Sequence, residues 1–228
     1  MRTQKLAAIL VATAIALPGA AFAHERGSLI VRGGVMYYDL DSDSSKVKHN
    51  GASIPNSKAT IDSGGQVFNL SATWMVLPHV GLELLAGGGY RHTLKTQGTG
   101  AYLRTGKLAE VSQQPLTASV QLFFLPTSYR FQPYVGLGVN YTSFYDERFT
   151  RRQRDLGYRR IEADDSVGWA AEVGADFAIT KHWMVNAAVW RVDAGTEVTG
   201  KNRRTGEKIK FKLDVDPWMY FVGVGYKF

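Results

Sequence analysis

The chain has 228 residues, of which 45% are hydrophobic and 21% are charged, and its formal net charge is +7. It contains no cysteine, which excludes a disulfide scaffold, a thiolate metal site and cysteine catalysis. Its 11 tyrosines, 11 phenylalanines and 5 tryptophans argue against disorder. The length suits a single β architecture, which can run past about 200 residues.

The N-terminal segment has the pattern of an export signal. Arg2 and Lys5 precede an apolar run over residues 6–17, and Ala21-Phe22-Ala23 follows it. A basic start, a short apolar run and an A-x-A site are typical of a cleaved secretory signal. The run is too short for a membrane helix, which needs about 20 residues. We therefore predict a signal peptide at 1–23 and a mature chain over 24–228 that begins at His24, with a buried N-terminal helix as the alternative.

Apolar residues alternate with small or polar ones in eight later stretches, which is the pattern of β-strands with two different faces. The clearest stretches are 67–76, 116–124, 169–179 and 220–228, and weaker ones lie at 29–39, 80–91, 134–145 and 183–192. Long, charged connections at 41–63, 92–110, 146–164 and 194–212 alternate with tight turns at 77–79, 126–130 and 180–182. Long loops at one end and short turns at the other are typical of an outer-membrane barrel.

The character of the two strand faces distinguishes this barrel from a soluble, lipocalin-type barrel, which is the alternative. A soluble barrel would carry many lysines and glutamates outside, but here the less apolar face is mostly Gly, Ser, Thr, Asn and Ala. Aromatic residues cluster near the short turns, as in a membrane girdle: Trp74, Phe124, Phe177, Trp183, Tyr226 and Phe228. We therefore predict an all-β protein, an eight-stranded antiparallel transmembrane β-barrel with four long extracellular loops and three short periplasmic turns. It must be closed, because open sheet edges cannot face lipid.

Several segments of the chain resemble the outer-membrane protein W (OmpW) family, and together they span the mature sequence. They are QPYVGLGVNY at 132–141, Asp165-Ser166 with Trp169 and Gly174-Ala175-Asp176, HWMVN at 182–186, Val189-Trp190, and VDPW at 215–218 with the ending Tyr226-Lys227-Phe228. Val198-Thr199-Gly200 is similar to the alkane-uptake relative AlkL. The resemblance implies a barrel in the outer membrane of a Gram-negative bacterium, with an apolar passage for small hydrophobic compounds. The ending with Tyr226 and Phe228 also resembles the insertion signal that the barrel-assembly machinery recognises.

Charged residues are predicted to meet at one level inside the barrel. Counted from the periplasmic turns at about 3.3 Å per residue, Arg32, Glu83 and Asp176 point inward at similar depth, with Gln121 and Asn186 near them. Unpaired charges are costly in a narrow, poorly hydrated lumen, so they should pair. We predict that these five residues form a polar plug.

An apolar layer of Met36, Leu85 and Trp190 is predicted above this plug. An eight-stranded barrel is only just wide enough for side chains, so it offers no wide water pore. A solute that enters between apolar walls and meets a charged floor needs a sideways exit. The predicted exit is at Gly87, Gly88, Gly89 and Pro115, because proline cannot donate to the strand ladder and glycine packs little. A bulge without function is the alternative.

Basic residues gather in the third and fourth long loops. The third carries Arg148, Arg151, Arg152, Arg154, Arg159 and Arg160, and the fourth carries Lys201, Arg203, Arg204, Lys208, Lys210 and Lys212. Arginine binds phosphate bidentately, so lipopolysaccharide is the predicted partner, with a merely solvated loop as the alternative. Nucleic acid is not an expected partner of an exported chain.

Motifs for catalysis, cofactors or metals are weak. Gly87-Gly88-Gly89 and Gly136-x-Gly138 lack the strand–glycine–helix context of a phosphate loop. His92 and Ser112 are the one pair that could serve an outer-membrane lipid hydrolase or acyltransferase. We therefore predict no enzyme, no cofactor and no metal, but a channel for passive uptake of small hydrophobic compounds, with lateral release through the barrel wall. A structural or adhesive barrel that binds lipopolysaccharide is the main alternative.

Overall fold

The computed structural model describes residues 24–61, 64–100 and 102–228 and, at 41–43, the backbone alone. The predicted signal peptide, 1–23, lies outside the described residues. Strands dominate, and a short helix, α1 (Arg151–Asp155), interrupts them. The strands are β1 (Leu29–Ser44), β2 (Lys48–His49), β3 (Ala52–Ser53), β4 (Lys58–Ile61), β5 (Gly65–Leu77), β6 (Val80–Gly87), β7 (Tyr90–Gln97), β8 (Gly106–Phe123), β9 (Phe131–Phe149), β10 (Tyr158–Ala163), β11 (Ser166–Ala178), β12 (Trp183–Val192), β13 (Gly195–Asn202) and β14 (Lys208–Lys227).

Eight of these strands form a closed antiparallel ring. Their order is β1-β5-β6-β8-β9-β11-β12-β14, and β14 pairs back with β1 from Ile30↔Lys227 to Ser44↔Leu213. Short connections join β5 to β6, β8 to β9 and β11 to β12 at one end. This confirms the predicted eight-stranded barrel, and β12 has the predicted bounds.

The outer wall of the ring carries a belt of exposed apolar side chains. Leu137 is 70% exposed and Val222 is 68% exposed, and apolar residues occupy the outward positions of all eight strands at this level. Such a continuous apolar surface needs a nonpolar surrounding. Among the described residues, no helix is long and apolar enough to cross a membrane.

The four extracellular connections contain more strand than the alternation predicted. β2, β3, β4, β10 and β13 lie within them, and β7, β8, β9 and β14 extend into them. In the outer part of β14, Ile209 and Phe211 are buried while Lys208 and Lys210 are exposed. These segments were predicted to be loops because they contain many charged residues. Beyond the membrane, however, the outer face of a strand is in contact with water and can carry charged side chains.

Candidate functional site

A buried polar cluster closes the lumen near the end with the short turns, and we call it the floor. The five predicted plug residues, Arg32, Glu83, Gln121, Asp176 and Asn186, are all buried and all belong to it. Asn186 Nδ2 donates to Asp176 Oδ1 over 2.8 Å. The structure therefore brings the predicted residues together, and their functional role stays a prediction.

Arg32 and Asp176 form the best-defined contact of the floor. Arg32 Nε donates to Asp176 Oδ1 over 2.9 Å, and Nη2 donates to Oδ2 over 2.5 Å. The remaining Nη1 donates to Thr73 Oγ1 over 2.6 Å and lies 3.6 Å from Glu83 Oε1. A bidentate, charge-assisted pair fixes both side chains in position.

Further hydrogen bonds complete a circuit across the lumen. Thr73 Oγ1 donates to Gln121 Oε1 over 3.1 Å, and Gln121 Nε2 donates to Glu172 Oε1 over 3.1 Å. Ser119 Oγ lies 2.9 Å from Glu172 Oε1 and 3.4 Å from Glu83 Oε2, so its hydroxyl sits between two carboxylates. Glu83 in turn forms an ion pair with Arg32, which closes the circuit. These residues are all buried, and a connected buried network of this kind is stiff.

Glycines on β9 and β14 make room for this circuit. Gly136 on β9 lies opposite Glu172, and a Cβ added there would fall 2.2 Å from Glu172 Oε1. Gly225 on β14 lies opposite Arg32, whose Cγ would be 3.2 Å from an added Cβ. The less apolar strand face predicted from the sequence therefore contains glycine where long polar side chains cross the lumen.

Five floor residues were not predicted from the sequence: His24, Thr73, Ser119, Tyr134 and Glu172. Glu172 shares the inward parity of Asp176 on β11, so the alternation contained its signal. His24 precedes β1, where no alternation exists, yet its Nε2 lies 3.0 Å from Asp176 Oδ2. Its ring packs edge-on against Phe123 at 4.5 Å between centroids. The predicted first residue of the mature chain is thus a member of the floor.

Two cavities lie above the floor. The lower one is narrow, with a volume of about 10 Å³, and its lining includes Met36, Leu85 and Gly87. The upper one has a volume of about 20 Å³ and is lined mainly by apolar and aromatic groups. Tyr90, Pro115 and Met219 line both cavities, so the two spaces adjoin there.

Trp190 does not line either of these cavities, although the apolar layer predicted from the sequence includes it beside Met36 and Leu85. It is buried, and its ring packs edge-on against Phe221 at 6.1 Å between centroids. The alternation along the strands correctly predicts that all three side chains point into the barrel. It does not determine which of them line a cavity.

The ladder between β6–β7 and β8 is interrupted where the two cavities adjoin. Ala86 pairs with Leu116 and Tyr90 pairs with Gln113, and the ladder has no pair for residues 87–89 opposite residues 114–115. We call this interruption the seam. All four residues of the predicted lateral exit lie in it: Gly87, Gly88, Gly89 and Pro115.

Pro115 removes a donor on the seam side of β8. Phe123 N–H donates to His79 on the β6 side, whereas Phe124 N–H donates to Pro133 on the β9 side. Amide direction alternates along a continuous strand, so position 115 faces β6–β7, where proline has no N–H to offer. Gly88 N–H instead donates to Phe68 O of β5 over 3.2 Å.

The other nominated residues lie at the two ends of the barrel. Tyr226 packs against Phe228 at 4.8 Å between ring centroids, and Phe228 N–H donates to Leu29 O over 2.9 Å, which ties the C-terminus to β1. His92 faces Val111 in the ladder, whereas Ser112 faces Arg91. The register therefore does not place His92 and Ser112 opposite each other.

Fold and site together define an eight-stranded outer-membrane barrel with a charged floor. The OmpW family model matches residues 25–228, and the chain belongs to this family. Outer membrane protein W of Escherichia coli is 31% identical over 99% of this chain and 100% of its own length. The crystal structure of OprG from Pseudomonas aeruginosa superposes with a TM-score of 0.85 and 37% identity, covering 90% of this chain and 98% of that one.

The predicted similarity to AlkL is also confirmed. Outer membrane protein AlkL of Ectopseudomonas oleovorans is 25% identical over 78% of this chain and 72% of its own length. These relatives are outer-membrane proteins of Gram-negative bacteria, which is the location predicted for this chain.

Proposed function

We propose that the protein admits small hydrophobic compounds from outside and releases them sideways into the outer membrane through the seam. The observation that carries this proposal is that two cavities with mainly apolar walls adjoin at Pro115, where the barrel ladder is interrupted. Below them the floor is closed by buried charges. Moving further down would therefore raise the free energy of a hydrophobic solute, whereas moving into lipid would lower it.

The seam is the easiest part of the wall to open. Elsewhere, opening the ladder breaks paired backbone hydrogen bonds that face lipid, where an unsatisfied group costs several kcal/mol (about 4–8). At Pro115 the donor is already absent. Gly88 and Gly89 are exposed and bring no side-chain bulk of their own to the opening.

Uptake by a deletion strain complemented with seam variants tests the proposal. Pro115→Val restores the donor toward β6–β7 and should lower the uptake of a hydrophobic compound series. Pro133→Val is the matched control, because Pro133 lies on β9 close to the short turn that follows β8. It should leave uptake at the parental rate.

Leu85→Asp tests the cavity independently of the seam. It places a carboxylate in the wall of the lower cavity and should block passage, whereas Leu85→Met keeps the wall apolar and should not. Amounts of each variant in the outer membrane are compared by heat-modifiable mobility. If Pro115→Val and Leu85→Asp both assemble and still transport at the parental rate, the lateral route is wrong, and a structural or adhesive barrel becomes the better interpretation.

A further inference from the structure

Two consecutive arginines face outward on β10, far from the floor and the seam. The register between β10 and β13 shifts between Tyr158 and Arg160. Tyr158 and Ile161 are buried, while Arg159 and Arg160 are both exposed. A regular strand would turn one of the two arginines inward, so the bulge is what places both on the same surface.

The strands beside β10 add more positive charge at the same level. Arg160 lies directly opposite Lys201 of β13, and Lys201 lies directly opposite Lys208 of β14. Like charges directly opposite each other destabilise a sheet. Arg160 has a partner in Glu162, at 2.5 Å, whereas neither Lys201 nor Lys208 has an ion pair within the part of the chain that the structure describes.

Three of these cations and Arg203 line one open cleft. Arg159, Arg160, Lys201 and Arg203 line it, together with Asn202 and Gly206. No carboxylate is among these lining residues. The cleft therefore has the charge and the donors to bind an anion, and a bound anion would offset the repulsion across the strands.

The backbone beneath the cleft is held in place by Asn202, which is buried. Asn202 Nδ2 donates to Leu156 O over 3.0 Å, and its Oδ1 accepts from Arg204 N–H at 2.9 Å. Arg203 N–H donates to Gly157 O over 2.9 Å. These bonds tie the connection before β10 to the connection after β13. The cations therefore project from a fixed backbone, and little backbone conformational entropy is lost on binding.

The height of the cleft above the membrane limits which anions can bind in it. Trp218 marks the outer edge of the apolar belt on β14, and Lys208 lies ten residues further along the same strand. At about 3.3 Å per residue and a tilt of about 40°, this is roughly 25 Å above the belt. Phosphates at the surface of the lipid lie too low, whereas the sugars of lipopolysaccharide extend outward past this height.

We propose that this cleft binds phosphate groups on the core oligosaccharide of lipopolysaccharide. Arginine matches phosphate with two parallel donors, which suits Arg159. Arg160 donates through Nε and Nη2 to Glu162, so it adds charge at the edge of the cleft, and Lys201 and Arg203 supply further charge. The site is separate from the solute path. Its role would be to bind the barrel to the lipopolysaccharide molecules around it.

Binding to purified lipopolysaccharide tests the site. The full-length mature barrel in detergent micelles is titrated with lipopolysaccharide that carries a phosphorylated core, and the cleft variant Arg159→Gln/Lys201→Gln is compared with the parent. Loss of two charge-assisted contacts should weaken binding at least about tenfold. The control, Arg151→Gln/Arg152→Gln, removes the same charge from two exposed residues of α1 that do not line the cleft, and should change binding less than about twofold.

The ligand series separates the source of the phosphate. Enzymatic dephosphorylation of the core should weaken parental binding to the level of the cleft variant, and lipid A without core sugars should bind parent and variant equally. The proposal is overturned if the two double variants lose binding equally, because that would reflect net charge alone. It is also overturned if the dephosphorylated core binds the parent as well as the phosphorylated core does. Heat-modifiable mobility verifies that every variant forms the barrel.

Discussion

Replacing Asp176 by asparagine should destabilise the barrel far more than replacing Glu83 by glutamine. Asp176 accepts two hydrogen bonds from Arg32, both from a guanidinium that is 1% exposed. Glu83 lies 3.6 Å from the same guanidinium and shares Ser119 with a second carboxylate, Glu172. The two acids therefore have the same charge but unequal geometry.

The expected magnitudes follow from that geometry. Breaking a buried, hydrogen-bonded ion pair costs about 3–5 kcal/mol, because the remaining charge stays buried. For Glu83→Gln we expect less than about 1.5 kcal/mol, the value of one ordinary hydrogen bond, because no direct bond to Arg32 is lost and repulsion with Glu172 is relieved. Arg32→Met removes the cation and should also cost about 3–5 kcal/mol.

A double-mutant cycle checks this reasoning. Urea midpoints are measured in lipid vesicles by tryptophan fluorescence for Arg32→Met, Asp176→Asn and the double variant, with Glu25→Gln as an exposed control near the same end. The double variant should be more stable than the sum of the single effects predicts, by about 2–3 kcal/mol. Additive single effects, or equal effects of Asp176→Asn and Glu83→Gln, would refute the assigned geometry.

Three further predictions concern the lumen and assembly. Gly136→Val brings a side chain to within 2.2 Å of Glu172 Oε1 and should lower stability by about 1–3 kcal/mol in the same urea assay; an unchanged midpoint would show that Glu172 does not lie there. Deleting Phe228 should reduce the heat-modifiable fraction in the outer membrane, and full assembly would exclude it as an insertion signal. Arg32→Ala/Asp176→Ala should raise ion conductance in planar bilayers without raising hydrophobic uptake, and a parallel rise in both would indicate an axial solute path.

Parity along the strands was enough to predict the barrel and much of the floor. A lipid-facing strand must be apolar outside, and a narrow lumen takes glycine and small polar side chains, so the two faces of β5 and β11 differ clearly in sequence. Counting from the turns then placed Arg32, Glu83 and Asp176 at one level. Both steps need only the period of the strand and its rise per residue.

Contacts between strands that are distant in sequence could not be predicted in this way. Height and parity bring Arg32 near both Glu83 and Asp176, but the choice of Asp176 as the bidentate partner depends on the register of the whole ring. His24 has no strand pattern at all, and its place in the floor depends on the path of the chain before β1. The four seam residues were predicted from their residue types, but the missing ladder pairs appear only when β8 is aligned with β6 and β7.

The outer part of β14 shows why a charged strand segment was predicted to be a loop. Outward residues are charged from Lys208 to Asp214 and apolar from Trp218 to Val224, while inward residues run from Ile209 to Phe221 without a break in parity. One strand therefore passes from water to lipid, and only its outward face changes. The position of that change, between Asp214 and Trp218, locates the outer membrane surface on the sequence. It also means that a charged stretch with period two, next to an apolar stretch of the same parity, is better interpreted as strand above the membrane than as loop.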